Sequence, residues 1–185
     1  VNSGLLNMTI NEILNLPLLS VSDTGAVRVT DDLALIQARE DAGTIGEGNL
    51  AVVSEFIGGI GTFVGTLEAF DALPANTVFD GGNITIADAG ENIQGRNFGA
   101  DNLIYVEAVE VISGELADTE TALTAIPGLV ASGGLITLSD AADTIAAADF
   151  TTDLPMVGAV DVTAGELVDT AAELNALPPL SAATL

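Results

Sequence analysis

Acidic side chains recur at one position of the sequence, directly after short segments rich in β-branched residues. They are Asp31 and Asp32, Asp88 and Glu91, Glu115, Asp140 and Asp143, and Glu166. Hard cations prefer several carboxylate and carbonyl oxygens, so stacked copies of this position would align calcium ligands. Acids in the first turn of a helix would instead cap backbone N–H groups and complement the helix dipole. The pattern favours capping and leaves a calcium ladder as the alternative.

The calcium hypothesis makes calcium the candidate cofactor. Its candidate metal ligands are four aspartates: Asp80, Asp88, Asp140 and Asp143. Asp80 opens Asp80-Gly81-Gly82-Asn83, whose glycines permit positive φ, so a tight turn explains this segment better than a metal loop. The capping hypothesis rests on Thr163-x-x-Glu166, which fits a capping box, and on Asp88-x-x-Glu91, which approximates one.

Few side chains in this sequence could act as catalysts, because it contains no His, Lys or Cys. Ser or Thr would therefore lack the usual base that activates a nucleophile. Gly58-Gly59-Ile60-Gly61 lacks the Walker lysine and the third glycine of a dinucleotide loop, and it predicts close approach of two backbones instead. A glycosidase needs two carboxylates about 5 to 10 Å apart. The 27 acidic residues give no basis for choosing such a pair. We predict that the chain is not an enzyme, with a carboxylate-based glycan-active enzyme as an alternative.

Charge excludes two classes of partner. The 27 acidic residues face three arginines, which gives a net charge of −24 and repels phosphate backbones and anionic lipid headgroups. We therefore expect no nucleic acid as a partner. We also expect no membrane insertion, because the longest apolar run, residues 50–64, is too short to span a bilayer and contains Glu55. A hydrophobic content of 49% predicts a filled core beneath an acidic surface. Tyr105 and the phenylalanines are expected in that core.

A β-branched triplet recurs about every 25 residues, the kind of period that marks repeat proteins. Its copies are Val27-Arg28-Val29, Val52-Val53-Ser54, Ile84-Thr85-Ile86, Val109-Glu110-Val111, Ile136-Thr137-Leu138 and Val160-Asp161-Val162. One insertion near Gly65 to Asn76 lengthens the unit of residues 52–83, and Met8-Thr9-Ile10 indicates a shortened first unit in residues 1–24. We therefore predict a single repeat array over residues 1–185.

Within each unit the spacing of apolar residues changes from that of a strand to that of a helix. The triplets alternate apolar and polar residues as a half-buried strand does. Helical spacing follows at Leu167, Ala171, Leu174 and Leu177, and also at Leu116, Leu123 and Ile126, before Pro178 or Pro127 ends the helix. This predicts an α/β fold, a right-handed parallel solenoid with about one strand and one short helix per ~25-residue repeat. One parallel sheet would hold strands near residues 27, 52, 84, 109, 136 and 160. Leucine-rich repeats share this logic, but their asparagine ladder is missing.

Two segments carry a resemblance to known proteins. Ile136-Thr137-Leu138-Ser139-Asp140-Ala141-Ala142-Asp143-Thr144-Ile145 and the region from Val160 to Leu177 resemble the degenerate tandem repeats of very large secreted adhesins and surface proteins of cyanobacteria and other aquatic bacteria. The resemblance covers residues 80 to 185. It implies an extracellular, multi-repeat, non-enzymatic protein, and it identifies no ligand.

The leading functional hypothesis is an extracellular or cell-surface structural and adhesive segment, either of a surface-protein stalk or of a filament or surface-layer subunit. Its expected partners are neighbouring repeats or copies of itself, joined head to tail, with a cell-surface glycan as a further candidate. The start at Val1-Asn2-Ser3-Gly4, without a basic leader, suggests a processed chain or a fragment. Residues 181–185 resemble the opening of another unit. A calcium-dependent surface module is the first alternative.

Overall fold

The computed structural model describes residues 4–22, 25–81, 83–168 and 171–181 as a mixed α/β fold. These residues form twelve strands, seven α-helices and two 3-10 helices. The strands are β1 (Gly4–Met8), β2 (Gly25–Asp32), β3 (Glu55–Ile60), β4 (Thr62–Gly65), β5 (Thr77–Phe79), β6 (Asn83–Ala89), β7 (Ala108–Ser113), β8 (Glu115–Asp118), β9 (Val130–Ala131), β10 (Leu135–Ala141), β11 (Ala159–Ala164) and β12 (Leu180–Ser181). The α-helices are α1 (Ile10–Leu14), α2 (Leu33–Asp41), α3 (Leu67–Asp71), α4 (Gly90–Ile93), α5 (Glu120–Thr124), α6 (Ala142–Ala147) and α7 (Ala171–Leu174). The 3-10 helices are Gly48–Val52 and Asp101–Tyr105.

The chain divides into two compact units, and the first is Val1–Thr85. It contains a sheet with the strand order β1-β2-β3-β5, in which all neighbours are parallel. The register pairs Gly4 with Gly25, Arg28 with Glu55, and Phe56 with Thr77. The consecutive strands β1, β2 and β3 therefore lie side by side, with α1 and α2 in their connections, whereas β4 lies between β3 and β5 in the chain and belongs to another sheet.

The second unit is Ile86–Leu185. It contains a parallel sheet with the order β8-β10-β11-β12, and a further parallel pair, β7 with β9. The register pairs Leu116 with Ile136, Leu138 with Val160, and Val160 with Leu180. The predicted opening of another unit, residues 181–185, overlaps this last strand only at Ser181, because residues 182–185 lie outside the described part.

The α/β class and the parallel pairing confirm the coarse prediction, but the single sheet is wrong. The described strands are distributed over three sheets. Two positive-φ glycines explain part of the difference: Gly61 (φ 99°) separates β3 from β4, and Gly114 (φ 65°) separates β7 from β8. Side chains disfavour this conformation, so glycine allows the chain to bend and the two halves to join different sheets.

The strand predicted near residue 52 is also wrong. Val52 ends a 3-10 helix, and the strand begins at Glu55. Phe56, which is 1% exposed, pairs with Val29 and so continues the buried column that Val52 was expected to fill. The apolar run from residue 50 offers both positions, and the pairing register decides between them.

Prolines set the length of three helices. α1, α3 and α5 each end three residues before a proline, namely Pro17, Pro74 and Pro127. Proline lacks the N–H that a longer helix would need and restricts the residue before it. Leu116 was predicted on the helical face but lies in β8, because the helix begins only at Glu120.

The core is aliphatic with one aromatic cluster. Phe70 packs edge-on against Phe63 and stacks on Phe79, with ring centroids 5.9 and 5.4 Å apart. Tyr105 contradicts the core prediction, since it is 43% exposed at the end of a 3-10 helix whose neighbourhood is buried through Leu103 and Val106.

The glycine-rich segment of β3 does bring two backbones together, as predicted. A Cβ on Gly59 would lie 2.6 Å from the backbone oxygen of Asp80, and a Cβ on Gly58 would overlap the Leu33 side chain. Gly81, in the turn after β5, has φ 90°, which the turn hypothesis required. Gly82 lies outside the described residues.

Candidate functional site

Three aspartates occupy the penultimate position of the strands that precede α2, α4 and α6. They are Asp31, Asp88 and Asp140. In each case Oδ1 accepts the backbone N–H of the next residue, at 2.9, 2.7 and 2.7 Å respectively. The bond lies where the strand ends and the helix begins. We call α2, α4 and α6, which follow such an aspartate, the type B helices.

The second oxygen of two of these carboxylates reaches the preceding helix. Asp31 Oδ2 accepts the N–H of Ile10 at 2.9 Å, and Asp140 Oδ2 accepts the N–H of Glu120 at 3.2 Å. Ile10 and Glu120 are the first residues of α1 and α5, whose N–H groups have no partner within their own helix. Each aspartate therefore caps a helix one strand–helix unit back in the sequence, where the helix dipole also favours a negative charge.

The helices that begin with a threonine cap form a second kind. Thr9, Thr66 and Thr119 accept N–H groups within α1, α3 and α5 at 3.3, 3.2 and 3.3 Å. We call these three the type A helices. At α1 the cap is reciprocal, because Glu12 accepts the Thr9 N–H at 2.8 Å. That bond, followed by the one from the Thr9 hydroxyl, lowers the pKa of the Glu12 carboxyl.

The two capping boxes predicted from the sequence are wrong. Thr163 lies within β11, and Glu166 is exposed after that strand ends. Asp88 is buried inside β6, and α4 has no side-chain cap at its N-cap residue, Ala89. The observed box is Thr9-x-x-Glu12. Its signal in the sequence is a threonine and a glutamate three residues apart, next to the apolar residues Ile10 and Ile13. The prediction of a shortened first unit in residues 1–24 did not include this box.

Type B helices also begin against a positive-φ glycine further along the chain. A Cβ on Gly61 would overlap the carboxylate of Asp32, and a Cβ on Gly114 would overlap that of Glu91. A Cβ on Gly165 (φ 83°) would lie 3.3 Å from Cβ of Ala142, the first residue of α6. Glycine is needed at these positions for its conformation and, at two of them, for the space that a carboxylate fills.

The candidate calcium ligands lie in unlike surroundings. Asp80 and Asp143 are exposed, Asp140 is half-buried, and Asp88 is 5% exposed and accepts N–H bonds from Ala89 and Asn92. Across the described ranges, no three acidic side chains are grouped so that they could hold a metal ion. Calcium binding therefore stays a prediction.

A single buried amide organises the chain after α1. The Asn49 side chain donates to the carbonyls of Ile13, Leu16 and Pro17 at 3.0, 3.0 and 3.2 Å, and it accepts the Leu19 N–H at 2.7 Å. All four of these bonds serve backbone groups, of which the Ile13 carbonyl also accepts the Leu16 N–H at 3.3 Å. The asparagine ladder of leucine-rich repeats is absent from the sequence, yet one asparagine performs the same task here.

Asp149 forms a local turn in the segment after α6. Its Oδ1 accepts the Thr151 hydroxyl at 2.7 Å and the N–H groups of Thr151 and Thr152 at 2.8 and 3.0 Å. The Thr151 hydroxyl, followed by these two N–H groups, lowers the pKa of Asp149 to about 2. The carboxylate is therefore an acceptor fixed in its ionised form.

The open clefts beside type A helices include one at α1 and one at α5. One, of about 420 Å³, is lined by Leu14, Leu16 and Leu18 together with Arg39, whose guanidinium makes no ion pair within the described residues. The other, of about 640 Å³, lies beside α5 and includes the carboxylates of Glu120 and Asp153. No aromatic ring is among the described residues that line it, so a sugar would find no stacking surface there.

Comparisons with protein-family models, curated proteins and solved structures found no match. No α-helix formed by the described residues has the length and apolar composition needed to cross a bilayer. The function must therefore be argued from the contacts themselves.

Proposed function

We propose that the chain is an extracellular structural or adhesive segment of a surface protein or filament subunit, built as a right-handed parallel solenoid that associates end to end. The observation that carries the proposal is the parallel pairing of consecutive strands in register, as in Gly4 with Gly25, Arg28 with Glu55, and Leu138 with Val160. A strand and a short helix bury too little apolar surface to fold alone, so neighbouring units must stack. Crossovers between parallel strands are right-handed almost without exception.

The use of the acidic residues supports a structural role. Asp31 and Asp140 bond the helix of the preceding unit, and Asp32 and Glu91 fill the space above glycines of the following unit. These contacts give the carboxylates a task in stacking, with no nucleophile or base required. Calcium and a cell-surface glycan remain candidate ligands of this proposed segment.

Open strand edges supply a means of association. β1 and β12 are each the outermost strand of their sheet, with a single hydrogen-bonded neighbour among the described strands. Leu5 on β1 is 55% exposed and Leu180 on β12 is 51% exposed. Unpaired N–H and C=O groups on such an edge invite addition of another strand. A contact between unlike edges of two copies is heterologous, and it propagates unless it closes into a ring.

The proposal is tested by measuring molar mass in solution against protein concentration, by light scattering in 0.5 M NaCl so that repulsion between acidic chains is screened. We expect the mass to rise with concentration. Leu5→Lys and Leu180→Lys should each keep the protein monomeric, because lysine on an edge strand opposes pairing. Leu35→Lys is the matched control: Leu35 is 45% exposed but lies on helix α2 and not on a strand. A monomer at every concentration would contradict the proposal, and so would association that both edge variants leave unchanged.

A further inference from the structure

Four stretches of the sequence share one signature, a positive-φ glycine followed 13 positions later by a proline. The pairs are Gly4 and Pro17, Gly61 and Pro74, Gly114 and Pro127, and Gly165 and Pro178. A short α-helix lies between the two residues in every copy, and after three of the prolines the chain forms a short strand, namely β5, β9 or β12. After Pro17, residues 18–22 form no strand. We call residues 18–22 the open segment.

The three strands that follow a proline have equivalent partners. Each pairs in parallel with the strand that ends directly before the glycine of its own copy: β5 with β3, β9 with β7, and β12 with β11. Each is also the outermost strand of its sheet. Two of the pairs share a hydrogen bond, since the Phe56 N–H donates to the Asn76 carbonyl at 3.1 Å and the Val160 N–H donates to the Pro179 carbonyl at 3.0 Å. In three of four copies, the chain after the proline therefore pairs with a strand that precedes its own helix.

The open segment holds the corresponding acceptor without a donor. Leu18 directly follows its proline, as Pro179 does, and the Leu18 carbonyl accepts no hydrogen bond from the described residues. The Asn49 amide fixes the chain on both sides of that carbonyl, because it donates to Pro17 and accepts the Leu19 N–H. The Leu18 side chain is 84% exposed and lines the open cleft at α1. A fixed backbone acceptor beside exposed apolar surface suits the addition of a strand.

We propose that the open segment binds, in parallel, an extended strand of a partner polypeptide with apolar residues at every second position, as in Val109-Glu110-Val111 of β7. The N–H of the partner's first apolar residue would donate to the Leu18 carbonyl, as Val160 donates to Pro179. A second folded copy of this chain cannot supply the strand, because β3, β7 and β11 already use that edge for β5, β9 and β12. The partner is therefore a chain with an unpaired strand segment, and the inference goes beyond end-to-end association of copies.

Disulfide trapping can test the pairing, because the sequence contains no cysteine. Val130 and Ser181, each the third residue after its proline, pair with Glu110 and Asp161. Ser20 is the third residue after Pro17, so it should lie opposite the partner residue equivalent to Glu110. The Ser20→Cys protein is mixed with a peptide of residues 106–113 that carries Glu110→Cys, in a glutathione buffer with 0.5 M NaCl to screen the protein's charge. Mass spectrometry measures the disulfide-linked adduct.

The matched control is the Ser22→Cys protein, because both serines are exposed and lie in the same segment. We expect trapping at Ser20 to be at least about tenfold faster, since a disulfide needs Cα atoms within about 7 Å and strand residues two positions out of register exceed that separation. A peptide that also carries Val109→Asp and Val111→Asp should lose the preference. Equal rates at Ser20 and Ser22 would overturn the inference, and so would a preference that the aspartate peptide keeps. Since the adduct forms on a single protein molecule, failure of the proposed self-association would be seen separately.

Discussion

Aspartates at the strand ends join neighbouring units through hydrogen bonds that cross from one helix to the next. Asp140 satisfies the Ala141 N–H within its own unit and the Glu120 N–H of α5. One side chain thereby fixes the turn of one helix and the start of another. A capping residue of this kind typically contributes about 1 kcal/mol.

Asp140→Ala should lower the free energy of unfolding by about 1 to 2 kcal/mol, because two N–H groups lose their acceptor. Urea unfolding followed by circular dichroism measures this change. Asp143→Ala removes the same charge from an exposed position three residues later and serves as the control. Equal effects of the two substitutions would mean that net charge, and not the cross-unit bond, determines the loss.

Gly90 shows where close packing overrides helix propensity. Alanine favours a helix over glycine by about 1 kcal/mol. A Cβ at Gly90, however, would overlap the backbone of Glu115 and Leu116, which cannot rotate away as a side chain can. We expect Gly90→Ala to destabilise the protein by about 1 to 3 kcal/mol, as overpacked substitutions do.

Gly46→Ala is the control for this substitution, since the Cβ position of Gly46 is open and its φ is not positive. It should leave the melting temperature unchanged or raise it slightly. A Gly90→Ala protein as stable as the Gly46→Ala protein would show that the approach of α4 to β8 is looser than described.

Asp149 predicts a pH dependence at the acid end. Its pKa in the folded protein is about 2, below the usual value of 3.8, so its hydrogen bonds stabilise the fold above the unfolded pKa. That contribution should disappear as the pH falls from about 4 toward 2. We expect the urea midpoint of the Asp149→Ala protein to fall less over this range than that of the wild type. Asp153→Ala, a neighbouring exposed carboxylate, should retain the wild-type dependence. Parallel curves for all three proteins would contradict the assignment.

Two kinds of helix alternate along the chain. Type A helices have a threonine cap and a proline that limits their length, whereas type B helices follow a strand-end aspartate and begin against a glycine. The connections after type A helices need a further support, because a chain that turns after a short helix leaves several carbonyls unpaired. In the first unit Asn49 provides that support from the following connection.

Asn49→Leu should destabilise the first unit by a few kcal/mol. The substitution keeps a similar volume but removes the amide from the Leu16 and Pro17 carbonyls and from the Leu19 N–H, and it leaves the Ile13 carbonyl with the Leu16 N–H alone. A buried polar group left without a partner costs about 1 to 3 kcal/mol. Hydrogen exchange should show lost protection in residues 13–19. Asn11→Leu, on the exposed face of α1, is the control. Unchanged protection of residues 13–19 in Asn49→Leu would exclude this role.

At the scale of the whole molecule, charge is the largest unbalanced quantity. Only three arginines face the 27 acidic residues, and in the ion pair of Arg28 with Glu55 both side chains are about a third exposed. A pair so exposed contributes little. Repulsion among the remaining carboxylates should therefore depend strongly on the ions in solution.

We expect low salt with a chelator to lower the melting temperature, and millimolar calcium to restore it beyond what sodium does at matched ionic strength. Differential scanning calorimetry measures both effects. Equal recovery in sodium would reduce the effect to screening and remove calcium from the candidate ligands. Asp80→Asn and Asp143→Asn then separate the two exposed candidate ligands from the two aspartates that bond backbone N–H groups.

The sequence by itself determined the α/β class, the parallel pairing and the position of five of the six strands that it predicted, whereas the described residues form twelve. β-branched residues at every second position indicate a strand with one buried face. Val27 and Val29 in β2 and Ile84 and Ile86 in β6 are buried in this way. The sequence also located the acids near the ends of those strands, although Asp31, Asp88 and Asp140 lie within the strands and not after them as predicted. Local patterns of this kind depend on neighbouring residues alone, so they can be seen without the fold.

The tertiary structure alone decided which partner each acid meets. Asp31 accepts the N–H of Ile10, 21 positions earlier, and the carboxylate of Asp32 lies against Gly61. Both contacts form because stacking brings separate strand–helix units close together. No local pattern specifies that distance along the chain. For the same reason the second core strand contains Phe56 and not Val52, because Phe56 is the residue that pairs with Val29. The expected single sheet is three sheets, because the chain bends at positive-φ glycines and its strands then pair with different neighbours. Strand pairing depends on how the chain stacks and not on any one segment.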